Sequence, residues 1–477
     1  MRPLLLGRAV AALAMVLAIS LGAGGGARAA EPFAGQRELL QQRLSTPAGQ
    51  ALPLASALVV GRLGEGEPEL LLLGTPAHGG APLARDARFE LGSVTKALVG
   101  SLLAKMAAQG RLGLDDPVGR WVPELNGTPA GGLTLRSLAT HHSGLPRVPM
   151  SVAFLWSGMR DPRDPYRHYS VADLLSDLRA WTPPAQTEFA YSNLGFALLG
   201  LALERAATQP LAHLMASEIL QPAGASGAGL EAELATGQIQ GYDASGRATP
   251  AWNLGAFAGA GALRANAPQM LALLEAARLG RAPFDAGAQL EQARRHATGS
   301  VGLGWMRTEK HGDRIVWHNG GTGGFRSFFG YSELSGRAVM LMANGTLDLD
   351  GLGLHLINPA FDPRPMDVPA QGAASVVAAA AALGAIAGLA WRAWRPRSRF
   401  EAALDLSLAV ASLALAWRWL PTTDPVTLGA VLGLALLAAG LMLWRGRSQP
   451  VWPARRRSLL AACVNVAVGA GVVMWAW

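Results

Sequence analysis

The C-terminal part of the chain carries four apolar stretches, at 373–391, 402–420, 426–444 and 458–477, separated by short polar breaks. Each is close to the ~20 residues that a helix needs to cross the hydrocarbon of a bilayer. A chain with this ending does not fold as one water-soluble body. Eight of the 14 Trp lie beyond residue 371, mostly near the ends of these stretches, where amphipathic rings settle at the head-group level. The arginines set an orientation. Arg392, Arg395, Arg397 and Arg399 follow the first stretch, and Arg445, Arg447, Arg455, Arg456 and Arg457 follow the third; the break at 421–425 has none. Positive loops stay cytoplasmic, which places the preceding residues and the C-terminus on the other side.

The N-terminus predicts the same side independently. Residues 1–29 read as a signal peptide: Arg2 and Arg8, an apolar run over 9–23, then Ala27-Arg28-Ala29 as a small-x-small cleavage site. Cleaved, or kept as an anchor, it sends the next segment across the membrane. The expected location is therefore the bacterial inner (cytoplasmic) membrane, multi-pass, with the main domain periplasmic. The lipid bilayer is a partner through the four C-terminal helices.

The net charge of +8 belongs to the two ends. Residues 1–29 carry +3 and residues 371–477 carry +7, which leaves −2 between them. A basic patch for nucleic acid is excluded on that ground. Cys463 is the single cysteine and sits in the apolar tail, so no intrachain disulfide and no cysteine metal site exists. No nucleotide-cradling glycine motif and no H-E-x-x-H occurs. His141 and His142 lack partners at ligand spacing and read as loop packing. No metal or cofactor is expected.

Between the ends, residues 30–358 read as one globular domain, followed by a linker over 359–371 with Pro359, Pro363, Pro365 and Pro369. The four-helix transmembrane region then covers 372–477. Apolar residues at helical spacing (Leu98, Val99, Leu102, Leu103, Met106) predict a helix over Val94–Gln109, stopped by Gly110. A second helix is predicted over Asn193–Ala207. Ala57–Gly61, Leu70–Leu73, Ile315–Trp317 and Ala338–Met342 read as strands.

Three short motifs in this domain carry chemistry. In Ser93-Val94-Thr95-Lys96 the i, i+3 spacing sets a hydroxyl and an ammonium on one helical face. Lysine occurs three times in the chain, and one placed idly on so apolar a helix is costly. A lysine buried at a helix N-terminus has its pKa lowered, so Lys96 is either a base for Ser93 or the holder of a proton that another base exchanges. In Tyr191-Ser192-Asn193, a phenol beside a cation can ionise and act as general base. The asparagine can hold an amide substrate, and it also suits the cap of the helix that follows. In His318-Asn319-Gly320-Gly321, an apolar run leads into a glycine-rich edge where a substrate backbone can approach and an N–H can meet an oxyanion.

Ser93-x-x-Lys96, Tyr191-x-Asn193 and His318-x-Gly320, in this order, resemble the three motifs of the serine penicillin-recognising enzymes. The branch is that of class C β-lactamases, D-Ala-D-Ala carboxypeptidases and related esterases. Phe89–Lys96, Leu112–Pro117, Leu135–Pro146, Gly259–Leu263 and Gly302–Trp305 agree with it. The similarity spans about residues 35–345 and leaves the tail outside. It implies an α/β (α+β) two-subdomain β-lactamase/transpeptidase-like fold, with an antiparallel sheet flanked by helices, a helical region, and the site between them. It implies acylation of Ser93, proton transfer shared by Lys96 and Tyr191, and substrate binding by Asn193, His318, Asn319, Gly320 and Gly321. The oxyanion hole would be the N–H groups of Ser93 and Gly321. Class C β-lactamases usually carry Lys-Thr-Gly at the third motif; here it is His-Asn-Gly. A histidine is largely neutral near pH 7, which favours peptides or esters over β-lactams.

The expected protein is a membrane-anchored periplasmic serine hydrolase acting on D-Ala peptides of peptidoglycan, on β-lactams, or on both. The alternatives are an esterase or amidase of the same fold, or a non-hydrolytic sensor or membrane scaffold. The intact Ser93, Lys96 and Tyr191 set favours turnover; a tail larger than an anchor requires favours the sensor.

Overall fold

The computed structural model describes residues 55–363, apart from 65, 78–79, 186–187, 231–237, 245, 286–293 and 297–298, together with residue 33 and residues 36–43. The leader, most of the linker and the four apolar stretches lie outside the described residues. Among those described, no helix is long and apolar enough to cross a membrane.

The strands are β1 (Ala57–Leu63), β2 (Glu69–Gly74), β3 (Phe89–Glu90), β4 (Gly241–Tyr242), β5 (Ala248–Thr249), β6 (Arg264–Ala265), β7 (Arg294–His296), β8 (Gly299–Val301), β9 (Met306–Lys310), β10 (Asp313–Gly321), β11 (Arg326–Ser332) and β12 (Ala338–Ala343). Eight form one antiparallel sheet in the order β2-β1-β12-β11-β10-β9-β8-β7; β3 pairs with β6, and β4 with β5. The first long strand pairs with the last, Leu58 opposite Ala343.

Both faces of this sheet are covered. That is why β1 (ALVVGRL) and β12 (AVMLMA) read as nearly continuous apolar runs rather than alternating ones. The pleat divides them between two cores: Val59, Met340 and Met342 face one, and Val60, Leu341 and Ala343 the other. The helices are α1 (Arg37–Arg43), α2 (Val94–Ala108), α3 (Val152–Arg160), α4 (Val171–Ala180), α5 (Asn193–Ala207), α6 (Ala258–Gly261), α7 (Ala267–Arg278) and α8 (Asp350–Ile357), with shorter turns between them. Helix α7 packs on β1 and β12 from the larger core, and α8 packs on β11 and β12 from the opposite side. The architecture is thus an antiparallel sheet flanked by helices, with a helical region on the larger core.

The two helices and four strands read from the sequence are present. Strand β11 (RSFFGYS) was not legible: it alternates poorly because its aromatic residues serve both faces, and Gly330 sits among them. Strand β9 (MRTEK) is mostly polar and takes its conformation from pairing with β10. Helix α2 reads as strongly apolar from the sequence. It is buried on nearly all sides, because it runs through the centre of the larger core beside α6 and β10.

Candidate active site

The site is built where the start of α2 meets the end of β10. Gly92 has φ +50, and a Cβ there would stand 2.6 Å from the Gly321 backbone nitrogen. Only glycine allows this left-handed turn and this approach. The turn is tied down from behind. Thr95 Oγ1 donates to the Gly92 carbonyl at 2.6 Å and accepts from the Leu263 amide at 3.0 Å. Gly320 is equally constrained, since a Cβ would fall 1.9 Å from the Leu91 carbonyl oxygen. The two glycines let the loop before Ser93 press against the sheet edge.

Ser93 stands at the N-cap of α2, yet its side chain makes no capping bond. It is half-buried in a row of buried neighbours, so the hydroxyl is free for other use. Lys96, one turn on, is fully buried. Its Nζ donates to Ser93 Oγ at 2.9 Å and to the Ala260 carbonyl of α6 at 2.6 Å. The rings of Tyr191 and Phe196 lie 5.0 and 5.6 Å from it. Burial, with Arg147 adding positive charge nearby, pushes the Lys96 pKa well below the usual lysine range. No carboxylate among the described residues forms a salt bridge with it.

Tyr191 goes the other way. Burial raises its pKa to about 12, against the hydrogen bond to Ser93 and the charge of Arg147. The sequence reading had allowed an ionised phenol; the environment instead holds the Tyr191 proton more tightly and loosens that of Lys96. Beneath Tyr191 lies His141, with centroids 4.5 Å apart. It is fully buried at φ +58, and its Nδ1 accepts from the Ser192 amide at 3.1 Å. The packing role read for it agrees with this placement. Among the described residues no group of three metal-ligating side chains converges.

Asn193 is the first residue of α5, not its cap. Ser192 caps, accepting from the Gly195 amide at 2.8 Å. The capping reading of Asn193 is therefore corrected: the shorter serine reaches the third amide, and Asn193 is left free. Its Nδ2 donates to the Tyr166 hydroxyl at 3.3 Å, and its buried Oδ1 has no partner among the described residues. Such a buried acceptor is available to a substrate donor.

His318 is fully buried, 6.3 Å from the Tyr191 ring between centroids. Its Nδ1 lies 2.6 Å from the Asn319 carbonyl oxygen. A carbonyl only accepts, so Nδ1 carries the proton and Nε2, which has no partner among the described residues, is an open acceptor. Burial, then the charge of Lys96, lowers its pKa to about 3. It is a neutral acceptor and not a cation for a carboxylate. Asn319 is not brought to the cleft. The period of two along β10 turns it to the opposite face, where Nδ2 donates to Asp350 Oδ2 of α8 at 2.6 Å. Gly320 is a spacer, and Gly321 reaches the cleft.

The cleft is lined by Gly92, Ser93, Tyr166, Asn193, Trp252, Leu254, Phe257, Ala260, Gly261, Gly321 and Thr322. Tyr166, Trp252 and Phe257 were not singled out from the sequence. They sit in loops or short turns whose residues converge only through the tertiary fold. Trp252 is held by a buried ion pair: Glu90 Oε1 accepts its amide at 2.7 Å and lies 3.4 Å from Arg264 Nη2. Arg147, also missed, is exposed with its guanidinium 5.2 Å from the Tyr191 ring centroid, and its carbonyl accepts from the Asn193 amide at 3.0 Å.

The family model described as Beta-lactamase matches residues 63–357. Among curated proteins, the chain is similar to the D-alanyl-D-alanine-carboxypeptidase/endopeptidase AmpH of Escherichia coli (strain K12), 35% identical over 150 residues, or 29% of this chain and 36% of that protein. It is similar to Esterase EstB of Burkholderia gladioli, 33% identical over 156 residues, or 30% and 39%. The match thus spans little more than a third of these relatives. Among solved structures, a class C beta lactamase from Rhodobacter sphaeroides superposes with a TM-score of 0.54 at 24% identity, covering 65% of this chain and 93% of that one. The D-alanine carboxypeptidase AmpC from Burkholderia cenocepacia superposes with a TM-score of 0.53 at 23% identity, covering 61% and 89%. At these identities the likeness is one of fold.

Proposed function

The chain belongs to the beta-lactamase family, and on that premise we propose that it is a serine hydrolase working through an acyl-enzyme on Ser93. The observation that carries the reading is the 2.9 Å contact between Lys96 Nζ and Ser93 Oγ, with the amine buried and pushed toward its neutral form. A neutral amine at that distance accepts the hydroxyl proton as Oγ attacks a carbonyl carbon. The C–Oγ bond forms and the carbonyl oxygen becomes an oxyanion. The Ser93 and Gly321 N–H groups receive it at the edge of β10. The bond to the leaving group then breaks, and the proton passes from Lys96 through the Tyr191 hydroxyl to the leaving atom. Water repeats the sequence on the acyl-enzyme, releases the acid and restores Ser93.

Asn193 Oδ1, buried and without a partner among the described residues, suits an N–H on the acyl side of the substrate. That favours a peptide, and D-Ala-terminated peptidoglycan peptides are the proposed class, in line with the description of AmpH. Ester hydrolysis is a second reading. It is favoured by the neutral His318, which offers no charge to a substrate carboxylate, and by the likeness to Esterase EstB. The leader and the four apolar stretches support a periplasm-facing domain anchored in the inner membrane.

Intact-mass measurement on the full chain in detergent, after brief incubation with a penicillin, tests the reading beside Ser93→Ala. The expected result is an adduct on the wild type alone, with D-Ala released from a D-Ala-D-Ala peptide. Ester cleavage without D-Ala release would establish the second reading. No adduct and no turnover of either substrate would overturn both.

A further inference from the structure

Four large apolar side chains within ten residues stand in solvent: Met150 at 64% exposure, Val152 at 82%, Trp156 at 64% and Met159 at 72%. Val152, Trp156 and Met159 are spaced i, i+4, i+7 and so form one stripe along α3. The remaining exposed large apolar residues among those described, Val171, Leu279 and Leu334, are not part of this stripe. The helix is not loosely attached. Its inner face carries Phe154, packed on Tyr166 and Tyr169 at 5.7 and 5.5 Å between centroids. Ser157 Oγ donates to the Pro165 carbonyl at 2.7 Å, and the cap Ser151 donates to Asp177 at 2.6 Å. A firmly seated helix that turns Trp and Met outward marks an interaction surface.

The charge beside the stripe is positive. Arg160 and Arg163 are exposed and form no salt bridge among the described residues, whereas the nearby Asp161 and Asp164 are both taken by Arg167. An apolar stripe with Trp, flanked by arginines, is the composition that lies in the plane of an anionic bilayer surface. We infer that α3 docks the catalytic domain onto anionic phospholipid. The inference rests on the reading of 372–477 as membrane-spanning, which keeps the domain tethered beside a bilayer. Because Phe154 packs against Tyr166, a wall of the cleft, docking sets the cleft close to the lipid surface.

The test uses the full chain with Cys463→Ala, reconstituted in vesicles of phosphatidylglycerol and phosphatidylcholine that carry nitroxide-labelled lipid. A bimane label is placed at Met159→Cys or, as control, at Leu334→Cys; circular dichroism confirms folding. Lipid quenching at 159 is expected to exceed that at 334 by about threefold or more, with iodide quenching in the reverse order. Arg160→Gln with Arg163→Gln is expected to weaken lipid quenching on phosphatidylglycerol-rich vesicles and not on phosphatidylcholine. Carbonate extraction separates the premise from the inference. A chain that resists carbonate but shows iodide-accessible 159 overturns docking and leaves the tail reading intact. A chain removed by carbonate whose position 159 is still lipid-quenched overturns the tail reading and upholds docking. Protection of 159 from both quenchers means that protein covers the stripe, and overturns docking.

Discussion

Helices α2 and α3 depart from ordinary burial in opposite directions. Helix α2 is apolar on nearly every side and carries a lysine into the core, with Lys96 fully buried. Helix α3 is anchored by Phe154 and Ser157 but presents Val152, Trp156 and Met159 to solvent. Each placement costs free energy: a desolvated ammonium in one case, wetted apolar surface in the other. Neither is needed to complete the fold, since a methionine would fill the place of Lys96 and polar residues would suit the outer face of α3. Costs of this kind persist where a function uses them. For α2 the use is an amine whose basicity is tuned by burial; for α3 the proposed use is a surface that meets a lipid bilayer.

Substitutions sharpen this contrast, and the largest effect belongs to α2. Ser93→Ala is expected to lower kcat/KM by about 10⁴-fold or more. Thermal unfolding should shift only modestly, because the Ser93 side chain makes no capping bond and gives up only its contacts with Lys96 and Tyr191. Lys96→Met is expected to cost about 10³-fold in kcat/KM while holding or raising the melting temperature. The sign follows from linkage. The native Lys96 pKa is lowered from 10.5, so between the lowered value and 10.5 the unfolded chain binds the extra proton. Stability therefore rises with pH across that window, and Lys96→Met removes this dependence. The wild-type kcat/KM rises with pH as Lys96 loses its proton and levels off below the usual lysine range, since Tyr191 titrates only near 12.

Asn193→Ala is expected to reduce kcat/KM for a D-Ala peptide by about tenfold to a hundredfold, since a charge-free hydrogen bond to substrate is lost. A simple ester without the N–H should lose far less, which steady-state comparison of the two substrates would reveal. Asn319→Ala, on the back of the same strand, is expected to change kcat/KM by less than about fivefold. It should cost ~1–2 kcal/mol of stability in denaturant unfolding, because the bond to Asp350 goes unmade. A larger catalytic loss there would break the distinction between the two faces of β10. At the small end, Trp156→Ser is expected to shift stability by no more than ~0.5 kcal/mol and to leave turnover of a water-soluble ester unchanged. A destabilisation well beyond that would return α3 to a structural role.

Much of the site was legible because its parts are local. Ser93 and Lys96 are one helical turn apart, and Tyr191 and Asn193 flank a cap, so spacing alone sets their relation. The walls were not legible. Tyr166, Trp252 and Phe257 carry no pattern that separates them from ordinary core aromatics, and Arg147 looks like any exposed arginine. Asn319 illustrates a subtler failure. A motif names three consecutive residues, but a strand turns alternate side chains to opposite faces, so His318 and Asn319 cannot share one side of β10. The capping role passed from Asn193 to Ser192 for a similar reason, since one residue of offset decides which side chain reaches the third amide.

The sequence by itself determined which groups are present, which pairs are neighbours along a helix, and where apolar residues must leave water. These follow from covalent spacing and from the cost of wetting hydrocarbon. Tertiary structure alone decided the protonation of the site. The low basicity of Lys96, the raised pKa of Tyr191 near 12 and the neutrality of His318 near 3 come from burial among chains far apart in sequence. The energy of a charge depends on all the matter around it, and no local pattern specifies that.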